Sequence, residues 1–494
     1  MGNKSRFHVD IMAMHPETTG SCILCIVKLP SKETIRFIVD CGLFQEKEYV
    51  EYNKELLFDP HNIDFVIVTH NHVDHIGRVP LLFNKGYNGK IYCSSTTEII
   101  CPVALWDTSR ILREVAKRNH TTPLYTDNDV ESATSHLYGI AYREECQVHE
   151  NVTVTMLENG HLIGSSLVLV KLHYPGEEDI NLLFTGDYKG ENLFFDVYDI
   201  PEEIRNLKLT IITEATYGYM SSEEIRYEFK DKISKGVSEE KTIILPVFSL
   251  GRSQEILYTI RALQEEGIIP SDYGVFFDGK LAQKYTGIYL NVDGIIKQEM
   301  QDFLPHDLIY VNSESRADVL NDLNKKIIIT TSGMATYGPA QVYLPKFLPN
   351  PNTLVLFTGY MAEGTLGRSL MESQEGDFVK VGGLIVKRKA EVSFTNEFSA
   401  HAKADEIVEL LKKFYHINAI LVNHGESNSK EQLAKKIVTE VDTRDVGILG
   451  REYFFRVNAY GVIKTLGTRF PWKRGAKFGT SFFYKEIDFL IIKQ

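Results

Sequence analysis

Four side chains that can bind a metal ion fall within six positions, in His70-Asn71-His72-Val73-Asp74-His75. The spacing reads H-x-H-x-D-H. Zinc takes nitrogen and oxygen ligands at about 2.0 to 2.2 Å and, in catalytic sites, keeps a position open for water. Three histidines and a shared carboxylate would hold one such ion. Further polar islands each place a metal-capable side chain beside a glycine: Asn159-Gly160-His161, Thr185-Gly186-Asp187 and Asn423-His424-Gly425. A lone histidine after a strand is more often a hydrogen-bonded structural residue than a ligand, so His161 and His424 gain weight only beside the cluster at 70–75. Taken together, His70, His72, Asp74, His75, His161, Asp187 and His424 are seven candidates. That number suits a pair of metals about 3.5 to 4 Å apart, able to clamp the attacking and leaving oxygens of a displacement at phosphorus.

Such side chains need strand ends to aim them. The apolar run Asp64-Phe65-Val66-Ile67-Val68 reads as a buried strand stopping at the cluster, and Arg78 to Phe83 reads as a helix opening after it. The N-terminal third shows seven short β-branched runs: Ser21 to Val27, Ile35 to Val39, Phe65 to Val68, Lys90 to Cys93, Val152 to Leu157, Leu167 to Leu172 and Asn181 to Phe184. They predict a β-rich sandwich. A helical excursion interrupts it from about Val103 to Ala141, where Leu105, Ile111, Leu112 and Val115 recur at helical spacing and Asp127 to Leu137 opens on polar residues.

From about Thr213 to Lys387 strands alternate with amphipathic helices. Thr242 to Phe248 precedes a helix over Arg252 to Gln264, and Tyr273 to Asp278 precedes another over Leu281 to Leu290. Lys326 to Thr330 and Leu354 to Thr358 are strand-like again. This alternation predicts an α/β unit with a parallel sheet. Beyond it, Ala404 to Tyr415 reads as a helix and Ala419 to Val422 as a buried strand, and the last fifty or so residues return to short strands.

With 494 residues and a net charge of -12, the chain is an ordinary globular composition of two or three domains. An acidic balance does not exclude a nucleic-acid enzyme whose positive potential is local and metal-borne. No apolar run approaches the roughly 20 residues that span a bilayer, and no membrane partner is expected. Six cysteines over this length form no disulfide framework, and with no secretory signal read at the N-terminus a cytoplasmic setting is the default. Cys22 and Cys25 form a C-x-x-C, but on a strand this spacing sends the two thiols to opposite faces, which favours buried structural cysteines.

The ordered motifs resemble the metallo-β-lactamase superfamily, and more narrowly its β-CASP branch of nucleases. The chain is similar to the endonuclease subunit of the cleavage and polyadenylation specificity factor and its prokaryotic relatives. The resemblance runs from about residue 8 to residue 430. It rests on Ile38-Val39-Asp40-Cys41-Gly42, the H-x-H-x-D-H, His161, Asp187, Thr213-Glu214-Ala215-Thr216-Tyr217-Gly218, Phe398-Ser399-Ala400-His401-Ala402 and Val422-Asn423-His424-Gly425-Glu426. It implies an α/β fold, a metallo-β-lactamase αββα sandwich with an inserted α/β β-CASP domain. The implied division is 1–213, 214–387 for the insert, 388–440 for the returning part and 441–494 for a C-terminal extension.

Carried over by position, the resemblance makes His70, His72 and His161 ligands of a first zinc and Asp74, His75 and His424 ligands of a second. Asp187 bridges two Zn2+ ions per chain, and Asp40 supports from behind. Glu214 and His401 become an acid pair, with His401 giving a proton to the departing 3′ oxygen; Asp74 counts with them as catalytic. The activity implied is hydrolysis of RNA phosphodiester bonds, endonucleolytic and in some relatives also 5′-to-3′ exonucleolytic, leaving 5′-phosphate and 3′-hydroxyl ends.

His424 favours RNA, since the DNA-processing members usually carry an aliphatic residue there. A single-stranded RNA substrate and a homodimer are further expectations, and no KH-type module is expected ahead of residue 8. The rivals are a DNA nuclease of the same branch, a small thioester or lactam hydrolase on the same metal core, and a non-catalytic scaffold in an RNA-processing assembly.

Substrate contacts are expected where the insert opens helices and turns. Arg252 and Ser253 begin a helix whose free N-H groups attract anions, and Ser332 and Gly333 follow a strand. An ordinary strand-to-helix turn is the alternative for each. Gly359 to Thr365 lacks the lysine of a nucleotide-triphosphate loop. Trp472, Lys473, Arg474 and Lys477 either grip RNA or a second copy, or belong to a solvated terminal sheet.

Overall fold

The computed structural model describes residues 7–467 apart from 16, 47, 360, 362 and 363. The basic aromatic cluster around Trp472 therefore lies outside the described residues. Two sheets face each other. The first has eight strands in the order Gly461–Gly467, Tyr453–Asn458, His8–Ala13, Ile23–Lys28, Thr34–Val39, Phe65–Ile67, Ile91–Ser94 and Leu137–Ile140. The second has seven, in the order Thr443–Ile448, His416–Val422, Lys208–Thr213, Ile180–Phe184, Ser166–Leu172, Val152–Glu158 and Glu145–His149.

Alternation sets which side chains meet between them. Phe37, Phe65, Val154, Val168, Val170 and Leu182 share one buried core, with Phe37 and Phe65 stacked at 5.0 Å. Full burial of each such side chain contributes about 1.5–3 kcal/mol. Cys25 belongs to this core and Cys22 to the one on the other face of the first sheet, so the thiols do point to opposite sides.

Helices cover both outer faces. The helices Val79–Asn84, Ser95–Arg118 and Asp127–Ser135 lie on the first sheet, and Ala404–Leu411 and Ser427–Glu440 on the second. The αββα layering expected from the resemblance is thus the observed architecture. The long helix starts at Ser95, ahead of the predicted Val103, because Ser94 caps it through Thr97 N at 3.1 Å and Pro102 sits inside it. A proline there reads in sequence as a boundary.

The insert is a six-stranded sheet with every pair parallel, in the order Ile309–Val311, Gly274–Asp278, Lys326–Thr330, Thr242–Pro246, Thr353–Phe357 and Glu391–Phe394. Its last strand extends the sheet past residue 387. Helix Arg252–Glu265 and helix Lys280–Asn291 pack on the face that shares a core with helix Ser95–Arg118. This brings the C-terminal ends of the parallel strands toward the sandwich. Among the described residues no helix is long and apolar enough to cross a membrane.

Candidate active site

The ligand loop hangs between two strand ends. After Phe65–Ile67 the chain runs through Thr69 to His72, which precedes the short helix Val73–Ile76. Neighbouring backbone fixes this turn: Ser21 N donates to Asp74 O at 2.8 Å, Leu43 N to Val73 O at 3.0 Å and Cys41 N to His75 O at 2.7 Å. Gly42 makes the approach possible, since a Cβ there would fall 1.5 Å from Asp74 O.

Four nitrogen or oxygen atoms converge first. His70 Nε2 lies 3.3 Å from His72 Nδ1, which lies 3.1 Å from His161 Nε2. Asp187 Oδ2 lies 3.4 Å from His70 Nε2 and 3.7 Å from His161 Nε2. Ligands about 2.0 to 2.1 Å from a tetrahedral ion stand about 3.3 Å apart, so the spacing fits a metal. A second group joins through Asp187, whose Oδ2 is also 3.3 Å from His75 Nε2. His75 Nε2 faces His424 Nε2 at 3.0 Å, and each lies 3.9 Å from Asp74 Oδ2. Asp187 Oδ1 is buried without a hydrogen bond, 3.3 Å from His424 Nδ1, and a cation would satisfy it. The seven residues named from sequence come together in neighbouring clusters whose geometry could hold divalent metal.

Outer partners set the tautomers. Thr69 Oγ1 gives its proton to Asp40 Oδ2 at 2.9 Å, so at 3.1 Å it accepts from His70 Nδ1 and leaves Nε2 facing the cluster. His75 Nδ1 donates to Asp40 Oδ2 at 2.7 Å, and His161 Nδ1 to the Ala400 carbonyl at 2.8 Å. Asn159 accepts from His161 N at 2.9 Å and donates to the carbonyls of Thr185 and Asp187, tying two ligand turns together. Thr69 and Asn159 were not singled out in the sequence, although each stands within two positions of a ligand. Asp40 and His424 hold positive φ of 62° and 43°, a backbone conformation that side-chain-bearing residues rarely adopt.

Burial pushes the imidazoles of His72 and His424 down to about 3, and it lowers His70 and His161 as well. They are neutral at pH 7, the form that binds metal. Burial raises Asp74 to about 6. At His75 burial opposes the charge, but the Asp187 and Asp40 carboxylates outweigh it and raise the pKa, so His75 keeps a proton that ligation must displace.

Beside the ligands stands the pair Glu214 and His401. His401 Nδ1 lies 3.0 Å from Glu214 Oε2, and Glu214 also accepts from the backbone N-H groups of Tyr188 and Thr216. Glu214 is buried at the end of the interior strand Lys208–Thr213. Burial disfavours a charged His401, yet Glu214 and then Asp187 outweigh it and raise its pKa.

Of the expected substrate contacts, Arg252 is buried beside the Phe398 ring, 5.4 Å from its centroid. Ser253 is buried too, with its hydroxyl committed to Phe248 O at 2.6 Å. Ser332 is partly exposed and Gly333 passes so close to Phe248 that a Cβ would meet the ring at 2.8 Å.

Three family models match in chain order. They are the metallo-beta-lactamase superfamily over residues 26–138, the Beta-Casp domain over 253–370 and the Zn-dependent metallo-hydrolase RNA specificity domain over 385–446. Among curated proteins, the chain is 29% identical to a transcription termination factor, FttA, of Methanosarcina mazei, over 87% of this chain and 68% of that protein. It is 28% identical to a ribonuclease of Thermus thermophilus, covering 81% and 90% respectively. An RNase J-like protein of Methanocaldococcus jannaschii is also 28% identical, covering 79% and 87%.

Proposed function

Because the chain belongs to the metallo-β-lactamase superfamily and its β-CASP branch, we propose that it is a zinc-dependent ribonuclease hydrolysing phosphodiester bonds of single-stranded RNA. The product ends are a 5′-phosphate and a 3′-hydroxyl. The observation that carries this reading is the adjacency of two ligand groups joined at Asp187 and a carboxylate-imidazole pair, Glu214 and His401, 3.0 Å apart. Relatives named as ribonucleases support RNA as the substrate.

His70, His72, His161 and Asp187 would hold one zinc, and Asp74, His75, His424 and Asp187 the other. Bound there, the ions supply Lewis acidity toward phosphoryl oxygens and lower the pKa of water. The protein's own groups do the rest. Asp40 and Thr69 keep His70 and His75 in the ligating tautomers. Glu214 accepts a hydrogen bond from His401 Nδ1-H, which leaves Nε2-H as the donor toward the leaving 3′ oxygen. The Glu214 and Asp187 carboxylates raise the His401 pKa against burial and so favour the charged, proton-giving form.

The test is a side-by-side digestion of end-labelled RNA and DNA of one sequence, with product ends mapped and zinc measured on the same protein. RNA cleavage to 5′-phosphates, lost in His401→Ala with zinc retained, is expected. Cleavage of DNA alone, or full activity in His401→Ala, refutes the substrate or the acid respectively.

A further inference from the structure

Two buried cations, one from the insert and one from the returning segment, lie over aromatic rings near His401. Arg252 is 7% exposed, and its Nε and Nη1 are buried without a hydrogen-bond partner. Glu255 Oε2 stands 3.2 Å from Nη1, an ion pair without hydrogen-bond geometry. Lys403 is 1% exposed, and its ammonium lies 3.6 Å from the centroid of the Tyr217 ring. Burial, and then the charge of Lys189, push its pKa down to about 8.

The nearby carboxylates are already engaged. Glu406 accepts from Lys189 Nζ at 2.6 Å and from the Lys403 backbone N-H at 2.7 Å. Glu214 serves Tyr188, Thr216 and His401. Burying a charge without hydrogen-bonded compensation is unfavourable, and an arriving anion would relieve it. The N-terminus of helix Arg252–Glu265 adds partial positive charge at the same place.

We propose that Arg252 and Lys403 clamp one backbone phosphate of single-stranded RNA, the phosphate immediately 5′ to the bond that is cut. The position follows from His401, and so rests on the ribonuclease reading. Tyr217 meets the His401 ring edge-on at 6.0 Å and carries Lys403 on its face, while Phe398, three residues before His401, carries Arg252. If His401 protonates the departing 3′ oxygen, the ribose of that oxygen lies against His401. The next anion along the chain is the phosphate on the 5′ side of this ribose. Arginine offers a planar fork to it and lysine a point charge.

Filter binding of labelled single-stranded RNA to the metal-loaded full chain, on ice with the retained RNA checked for length, tests the clamp. Arg252→Gln and Lys403→Met are expected each to weaken binding about tenfold and to reduce the salt slope by about 0.7. Lys403→Arg should keep the slope. Wild-type affinity and slope in both variants, shown folded by thermal melting, overturn the clamp.

Should a variant melt early, the wild-type protein is given RNA with one uncharged methylphosphonate linkage. Cutting should fail at the bond that follows this linkage and persist further away; equal cutting there overturns the position. Weaker binding and a smaller slope in both variants, with no cutting by the wild-type protein, keep the phosphate contact and sink the ribonuclease reading alone.

Discussion

His75 Nδ1 lies 2.7 Å from Asp40 Oδ2, a contact that ties the end of one strand to the ligand loop. Asp40 also accepts from Thr69 N at 2.8 Å and from its hydroxyl at 2.9 Å, so one carboxylate orients His70 and His75 together. Asp40→Asn keeps the shape and tolerates the positive φ of 62° at this position. The variant should lose about 10 to 100-fold in metal affinity or activity. Metal content by mass spectrometry beside the single-turnover rate reads this, and wild-type values in both would remove Asp40 from the support.

In the proposed mechanism His401 donates a proton, which works only below its pKa. Burial opposes its charge but Glu214 outweighs it, so the pKa is raised above 6.5 and the rate should fall as pH climbs through that higher value. In Glu214→Gln the main raising influence is gone and the alkaline limb should move to lower pH. A profile of the cleavage step against pH decides it. An unmoved limb would mean that another group sets it.

Metal uptake should be linked to protons. Asp74 is raised to about 6 by burial, and His75 holds a proton under the influence of Asp187 and Asp40 against the opposing effect of burial. A cation must displace these protons, so affinity should weaken as pH falls through about 6. Competition with a chromophoric chelator at several pH values measures this. Treatment with a strong chelator should abolish cleavage, and readdition of zinc should restore it. Affinity independent of pH over this range would contradict the protonated His75.

Gly42 allows the ligand loop to approach its support. In Gly42→Ala the new Cβ would meet Asp74 O at 1.5 Å, a backbone atom that cannot swing away. The loop must shift, and the variant should bind less metal and melt earlier, since such overpacking costs about 1–3 kcal/mol or more. Calorimetry and metal analysis together test it. Unaltered melting and zinc content would show that the loop yields without cost.

Much of the site was legible because its chemistry is local. His70, His72, Asp74 and His75 are close in the chain, and a strand that ends on them is visible from five consecutive residues. The distant partners were legible only through resemblance: nothing in the residues around His424 says that it meets His75 at 3.0 Å, 349 positions away. Some elements escaped for physical reasons. His8–Ala13 has Asp10 within its apolar run, because that aspartate pairs with Arg456 at 2.7 Å from the far end of the chain.

The amino-acid pattern by itself determined the metal-binding chemistry at positions 70–75, the β-rich start and the change to alternating strands and helices after Thr213. These depend on residue type and on periods of two or about 3.6 residues, which any short window displays. Tertiary structure decided which carboxylate joins the two ligand groups, which nitrogen each histidine presents, and that Arg252 and Lys403 end up buried over the Phe398 and Tyr217 rings. Such relations arise when sheets pack and bring together residues far apart in the chain, and no short window contains both partners.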